Sequence, residues 1–183
     1  IFLRGTLDCG QFPLKADPAM DKETWLNILG VYKQYGLNHV RFHSWCPPKA
    51  AFQAADELGL LFQIEMASSP YSELLTILAT YGNHPSFGMV SLTNEQVHNE
   101  FTRQIIKNAK ESDSRHLYSC TSCPWDVGCI DDFYVSAYGV DNKRTVGIEW
   151  GGGDVISVTR FNTDAPETAS DYRDAIKGIN API

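Results

Sequence analysis

Short apolar runs alternate along this chain with longer stretches whose apolar residues recur every three or four positions. The short runs are Phe2 to Thr6, His39 to His43, Leu60 to Glu65, Phe87 to Leu92, His116 to Thr121 and Asp132 to Tyr138. Each has the length and β-prone composition of a strand. Between the first two, Lys22 to Tyr35 carries Trp25, Ile28, Leu29, Tyr32 and Tyr35 at helical spacing, with Gly36 as terminator. A second helix is predicted from Pro48, bearing Phe52, Ala55 and Leu58 and stopped by Gly59. A third runs from a Ser72 cap through Leu75, Leu78 and Ala79 to Gly82, and a fourth is marked by Phe101, Ile105 and Ala109. A Gly-rich loop, Gly147 to Gly153, then precedes a last helix from near Pro166 that carries Tyr172 and Ile176. Ala181-Pro182-Ile183 reads as the start of another strand.

Repeated strand–helix units with short connections imply an α/β domain whose parallel sheet is covered by helices. Eight units and about 250 residues close a TIM (β/α)8 barrel. The 183 residues hold six units and the first residues of a seventh, so residues 1–183 are read as a single partial barrel domain. An open, doubly wound sheet of six strands competes with it. No Gly-rich phosphate loop follows the first strand, where a nucleotide-binding version would carry one.

Composition narrows the function classes. Hydrophobic residues make up 43% and charged residues 20%, as in ordinary globular proteins. The formal charge of −7 and the lack of a basic stripe argue against nucleic acid or anionic lipid as a partner. No apolar run approaches the roughly 18 residues that span a bilayer. The chain opens on Ile1-Phe2-Leu3-Arg4, a strand-like start rather than a leader peptide. Five cysteines (Cys9, Cys46, Cys120, Cys123 and Cys129) are too odd a number for full pairing and are read as thiols. Cys120 and Cys123 have CxxC spacing but no second ligand pair nearby, so no metal and no cofactor is expected.

The candidate chemistry gathers at predicted strand tips. The fourth strand ends in Asn94-Glu95, an amide followed by an acid at the end of a buried run. Parallel barrels keep their chemistry there, although the same pair also suits the first turn of a helix. On the second strand His39, Arg41 and His43 share one face and Val40 and Phe42 the other. A buried row of basic groups needs acids or a ligand to meet it, which makes that face a candidate barrel interior. The bland alternative is one structural salt bridge from Arg41 and two solvated histidines. Trp45 follows in a loop, as a stacking platform for a sugar ring or as a plug of the core. Glu65 ends the third strand, placed to pair with Glu95 or to serve Arg41. Tyr134, Ser136 and Tyr138 are in phase on the sixth strand, and Glu149 lies in the Gly-rich loop.

Four ordered motifs carry a resemblance: Arg4-Gly5-Thr6; Gly36-Leu37-Asn38-His39-Val40-Arg41-Phe42-His43; Ala54-Ala55-Asp56-Glu57-Leu58-Gly59-Leu60; and Asn83-His84-Pro85-Ser86 leading into Asn94-Glu95. Together they resemble the catalytic barrel of glycoside hydrolase family 2, the β-galactosidase and β-glucuronidase type, from the first residues to about Tyr138. Thr168 to Ile183 resembles the lead into strand seven in polysaccharide-degrading members. The resemblance implies hydrolysis of an O-glycosidic bond in a carbohydrate substrate, with retention. It makes Glu95 the general acid/base, Asn94 the partner of the sugar 2-hydroxyl, and Arg41 the support of a second carboxylate. His43, Trp45 and Tyr138 become sugar contacts, although His43 and Trp45 depart from the usual family sequence. It also implies a periplasmic or extracellular location, which the cysteines leave undecided.

Retaining chemistry needs a nucleophilic carboxylate about 5 to 5.5 Å from the acid. The family carries it at the end of strand seven, so it is expected beyond residue 183, with the remaining barrel strands and β-sandwich domains of a parent polypeptide. The chain by itself is then expected to be nearly inactive. Two other readings stand beside this one: a non-catalytic carbohydrate-binding barrel that uses Trp45, Tyr138 and Arg41, and a complete site in which Glu149 is the nucleophile.

Overall fold

The computed structural model describes residues 3–12, 15–67, 71–94, 99–120, 132–136 and 155–158. In chain order the elements are β1 (Gly5–Asp8), α1 (Lys22–Gln34), β2 (His39–Phe42), α2 (Lys49–Leu58), β3 (Leu61–Glu65), α3 (Tyr71–Tyr81), β4 (Phe87–Ser91), α4 (Glu100–Ser112), β5 (Leu117–Ser119), β6 (Phe133–Ser136) and β7 (Val155–Val158). Strands β1 to β5 form one parallel sheet in strict sequence order, and β6 and β7 form a parallel pair. Asp132 joins the pair to the sheet. Its N–H donates to the Tyr118 carbonyl at 2.8 Å, and its carboxylate accepts the Tyr118 N–H at 2.9 Å.

The winding follows from where the apolar side chains go. Val40 and Phe42 of β2, Phe62 and Ile64 of β3, Val90 of β4 and Tyr118 of β5 share one buried cluster with residues from all four helices. Those partners include Trp25 and Leu29 of α1, Phe52 and Ala55 of α2, Leu74 and Ile77 of α3, and Ile105 and Ile106 of α4. Met89 and Phe133 form a separate small cluster with Leu3. All four helices therefore cover one face, and the strand order never reverses. A doubly wound sheet has helices on both faces and a reversal point. This is barrel winding, and the open-sheet alternative falls.

Helix ends show how the sequence sets the frame. Asp21 caps α1 by accepting the Thr24 N–H at 2.8 Å. Gly59 ends α2 at φ 67°, in the left-handed region that a residue without Cβ enters at least cost. Ser72, expected as a cap, instead lies within the first turn of α3. Phe101, expected on the apolar face of α4, is 64% exposed, and the buried stripe is Thr102, Ile105, Ile106 and Ala109. Strand β7 lies in a stretch the sequence pattern left as a connection between loop and last helix. The helix expected near Pro166 and the strand start at Ala181 fall outside the described residues.

One irregularity sets the phase of β4. Phe62 is in register with Phe87, but the next pair is Gln63 with Met89, so Gly88 is an extra residue. Phe87 and Met89, two apart, consequently face opposite sides: Phe87 joins the helix-side core and Met89 the other cluster. Ser91 is thereby carried to the face opposite the helices.

Candidate active site

The face opposite the helices is polar where it is buried. His39, Arg41, Gln63, Glu65, Ser91 and Ser119 are all buried there. Register aligns Arg41 with Gln63 and Met89, and Glu65 with Ser91 and Ser119. The side-chain amide of Gln63 donates to Ser91 Oγ at 3.1 Å. The alternation read along β2 therefore holds, with Val40 and Phe42 in the helix-side core and the basic row turned the other way.

Glu65 is the hub of this face. Its side chain is fully buried, as is that of Arg41 at 1% exposure. Arg41 donates to Glu65 Oε2 from Nε at 3.0 Å and also from Nη2. The other oxygen, Oε1, accepts the Ser44 N–H at 3.1 Å and the Ser44 hydroxyl at 3.2 Å. His43 Nε2 lies 3.7 Å from the same oxygen, and Cys9 Sγ is 3.8 Å from His43 Nδ1. Of the two partners open to Glu65 in the sequence, the described contact is with Arg41. Removing either member of so buried a pair would leave an uncompensated charge, at about 3–5 kcal/mol.

Ser44 sits at φ 60°, a left-handed conformation uncommon for a residue with Cβ. The turn it makes lets Trp45 form an antiparallel bridge with Glu65. The Trp45 ring packs edge-on against Phe42 at 5.3 Å and Phe12 at 6.0 Å, and its Nε1 donates to the Asp8 carbonyl at 3.1 Å. Gly10 admits that ring, since a Cβ there would lie 3.1 Å from it. Trp45 is thus tied to the core while still partly exposed, combining features of both roles open to it in the sequence.

Asn94, at the tip of β4, accepts from Arg41 Nη2 through Oδ1 at 3.3 Å. It does not cap the next helix. That role belongs to Asn99, whose side chain takes the Thr102 N–H while Thr102 Oγ1 takes the Asn99 N–H, a reciprocal capping box. Arg41 and Asn94 are therefore brought together, with His43 and Trp45 beside them. Glu95, Tyr138 and Glu149 lie outside the described residues.

Two groups near the tips were not legible in the sequence. Asp8 ends β1 two residues later than the expected strand, accepts the Gly10 N–H at 2.8 Å, and has its carboxyl pushed up by burial. Ser44 had no signal, because nothing local marks a serine for a left-handed turn. Burial, with a smaller contribution from Asp8, raises the Cys9 thiol. Burial, and then the charge of Arg41, lowers His39 to about 4. Cys9 and Cys46 are free thiols, and Cys123 and Cys129 lie outside the described residues. Among the described residues no group of three or more His, Cys, Asp or Glu is placed to hold a metal ion.

No family model and no curated protein matches this chain. Solved structures do. Over 76% of this chain and 21% of that one, it superposes on beta-glucuronidase 3 of Bacteroides uniformis with TM-score 0.64 and 19% identity. A glycosyl hydrolase family 2 member from Bacteroides cellulosilyticus matches 74% of this chain and 21% of its own, with TM-score 0.65 and 20% identity. A family 2 beta-galacturonidase from Eisenbergiella tayi, bound to galacturonate, matches 74% of this chain and 28% of its own, with TM-score 0.62 and 16% identity. The chain spans 21% to 28% of these proteins' length. At such identity the likeness is one of fold. Over the described residues, the sheet and its helices have the architecture of part of the family 2 barrel to which the sequence motifs point.

Proposed function

We propose that this chain is part of the catalytic barrel of a retaining glycoside hydrolase acting on an oligo- or polysaccharide, with Glu95 as general acid/base. The observation that carries the reading is the bond from Arg41 Nη2 to Asn94 Oδ1, which anchors the residue before Glu95 to the buried polar face at the strand tips. The fold shared with family 2 glycosidases supports the same assignment.

In this reading the carboxyl of Glu95 gives its proton to the glycosidic oxygen as the C–O bond breaks. A second carboxylate forms the glycosyl-enzyme, and Glu95 then takes a proton from the water that hydrolyses it. That second carboxylate is assigned to the protein beyond residue 183. Asn94 hydrogen-bonds the sugar 2-hydroxyl, Arg41 supports the nucleophile, and His43, Trp45 and Tyr138 line the sugar. No metal or cofactor enters any step.

The test is turnover of aryl glycosides by the full-length protein. Glu95→Gln is expected to lower kcat/KM about 10²- to 10⁴-fold for poor leaving groups and far less for activated ones, which need no protonation in the first step. Undiminished turnover of the poor leaving groups would remove Glu95 from this role. Sugar binding without hydrolysis by the full-length protein would favour the carbohydrate-binding barrel instead.

A further inference from the structure

We propose that Glu65 is a positioning residue that sets the orientation of the Asn94 side-chain amide through Arg41. This rests on the reading of Asn94 as a sugar contact. Arg41 has a long side chain with many rotamers and a planar fork of donors. Glu65 removes that freedom by accepting Nε and Nη2 together at one oxygen. Its other oxygen is held by the Ser44 N–H and hydroxyl, so the carboxylate cannot turn to follow a moving guanidinium. The fixed fork then directs Nη2 at Asn94 Oδ1, 3.3 Å away.

The consequence concerns hydrogen-bond polarity. The two ends of an asparagine amide are nearly the same size, one accepting and the other donating. A guanidinium has only donors, so it holds the oxygen end. The end turned away from Arg41 is therefore Nδ2, and Asn94 meets a ligand as a donor to an acceptor oxygen. Without the Glu65 charge the fork loses its anchor, and the amide loses a contact that favours the orientation with its oxygen toward Arg41. One carboxylate, rooted in β3, thereby links the turn after β2 to the tip of β4.

Glu65→Gln in the full-length protein tests this with paired substrates, an aryl glycoside and its 2-deoxy counterpart. The wild type is expected to prefer the hydroxyl-bearing substrate. The variant is expected to lose that preference about 10-fold, mainly in kcat, while its discrimination at the 4-position stays as it was. A merely structural role would lower both rates together and leave their ratio unchanged, which would overturn the proposal. Should the variant fail to fold, Ser44→Ala, which takes only one hydroxyl from the carboxylate, is read on the same ratio with a two- to threefold loss expected. Absence of all wild-type turnover would count against the glycosidase reading alone. The positioning is then read from a crystal structure of either variant, where a displaced Arg41 and a turned Asn94 amide support it and an unchanged bond between them refutes it.

Discussion

His39 shares the inner face of β2 with Arg41 but not its partners. It is 5% exposed, and its Nε2 has no hydrogen-bond partner among the described residues. A Cβ on Gly5 would lie 2.5 Å from its Nδ1, so the ring is seated against bare backbone. Burial and the neighbouring guanidinium lower its pKa to about 4, against an ordinary 6.5. Between those two pH values the unfolded chain binds a proton that the folded chain refuses, so stability falls as pH falls through that window. The loss attributable to His39 at pH 5 is about 2 kcal/mol. His39→Gln should therefore show a smaller drop in urea stability between pH 7.5 and 5 than the wild type. Equal drops would show that the acid sensitivity arises elsewhere. The carboxyl of Asp113, lowered to about 2 chiefly by its bonds from Arg115, acts in the same direction but only below its ordinary 3.8. Much of this residue-level arrangement was legible, since strand alternation alone separates His39 and Arg41 from Val40 and Phe42. The left-handed turn at Ser44 was not, because its cause is the fully buried carboxylate that its N–H reaches across 21 positions of sequence.

Among the elements, the helices were the most legible, because amphipathic spacing and terminal glycines are local signals. Helix α1 was expected over Lys22 to Tyr35 and is observed over Lys22–Gln34. Strand ends and caps were less so. The β4 bulge at Gly88 is a case in point: a regular alternation from the buried Phe87 would turn Met89 and Ser91 toward the helices, whereas the slipped register turns them away. A lone glycine in a strand was the available signal. Strand β7 is four residues long and starts one residue after a run of glycines, so its period is too short to separate from a loop. The start of α4 shows the competition between two asparagines. Asn94 and Asn99 both suit a cap, and the one that finds a reciprocal partner in Thr102 takes it. Asn99→Ala should cost about 1 kcal/mol in denaturant unfolding and fray the first turn of α4. A variant as stable as wild type would mean that the box adds nothing to what Ile105 and Ile106 supply by burial.

For the whole molecule, the two faces of one sheet divide the work. The helix-side face holds Phe42, Phe52, Phe62 and Phe87 in a chain of edge-on rings, with Phe42 and Phe62 at 4.6 Å and Phe52 and Phe62 at 5.3 Å. Phe62 is fully buried at the centre of that chain. The opposite face holds the Arg41, Glu65 and Asn94 network, whose hydrogen bonds and charges contribute less to stability per group than close-packed rings do. Truncations on the two faces should therefore separate stability from activity. Phe62→Ala removes a ring that cannot be replaced by local collapse and should cost about 3–5 kcal/mol, yet the molecules that stay folded should keep the kcat of the wild type. Asn94→Ala removes one bond to a charged group, at about 2 kcal/mol, and should reduce turnover of aryl glycosides by far more than its effect on folding. Denaturant midpoints and kcat measured on both variants of the full-length protein decide the matter. If Phe62→Ala lowered kcat in proportion to Asn94→Ala, the sheet would be transmitting strain from one face to the other. The division would then fail, because a close-packed interior that shifts on losing a ring moves the strand tips with it.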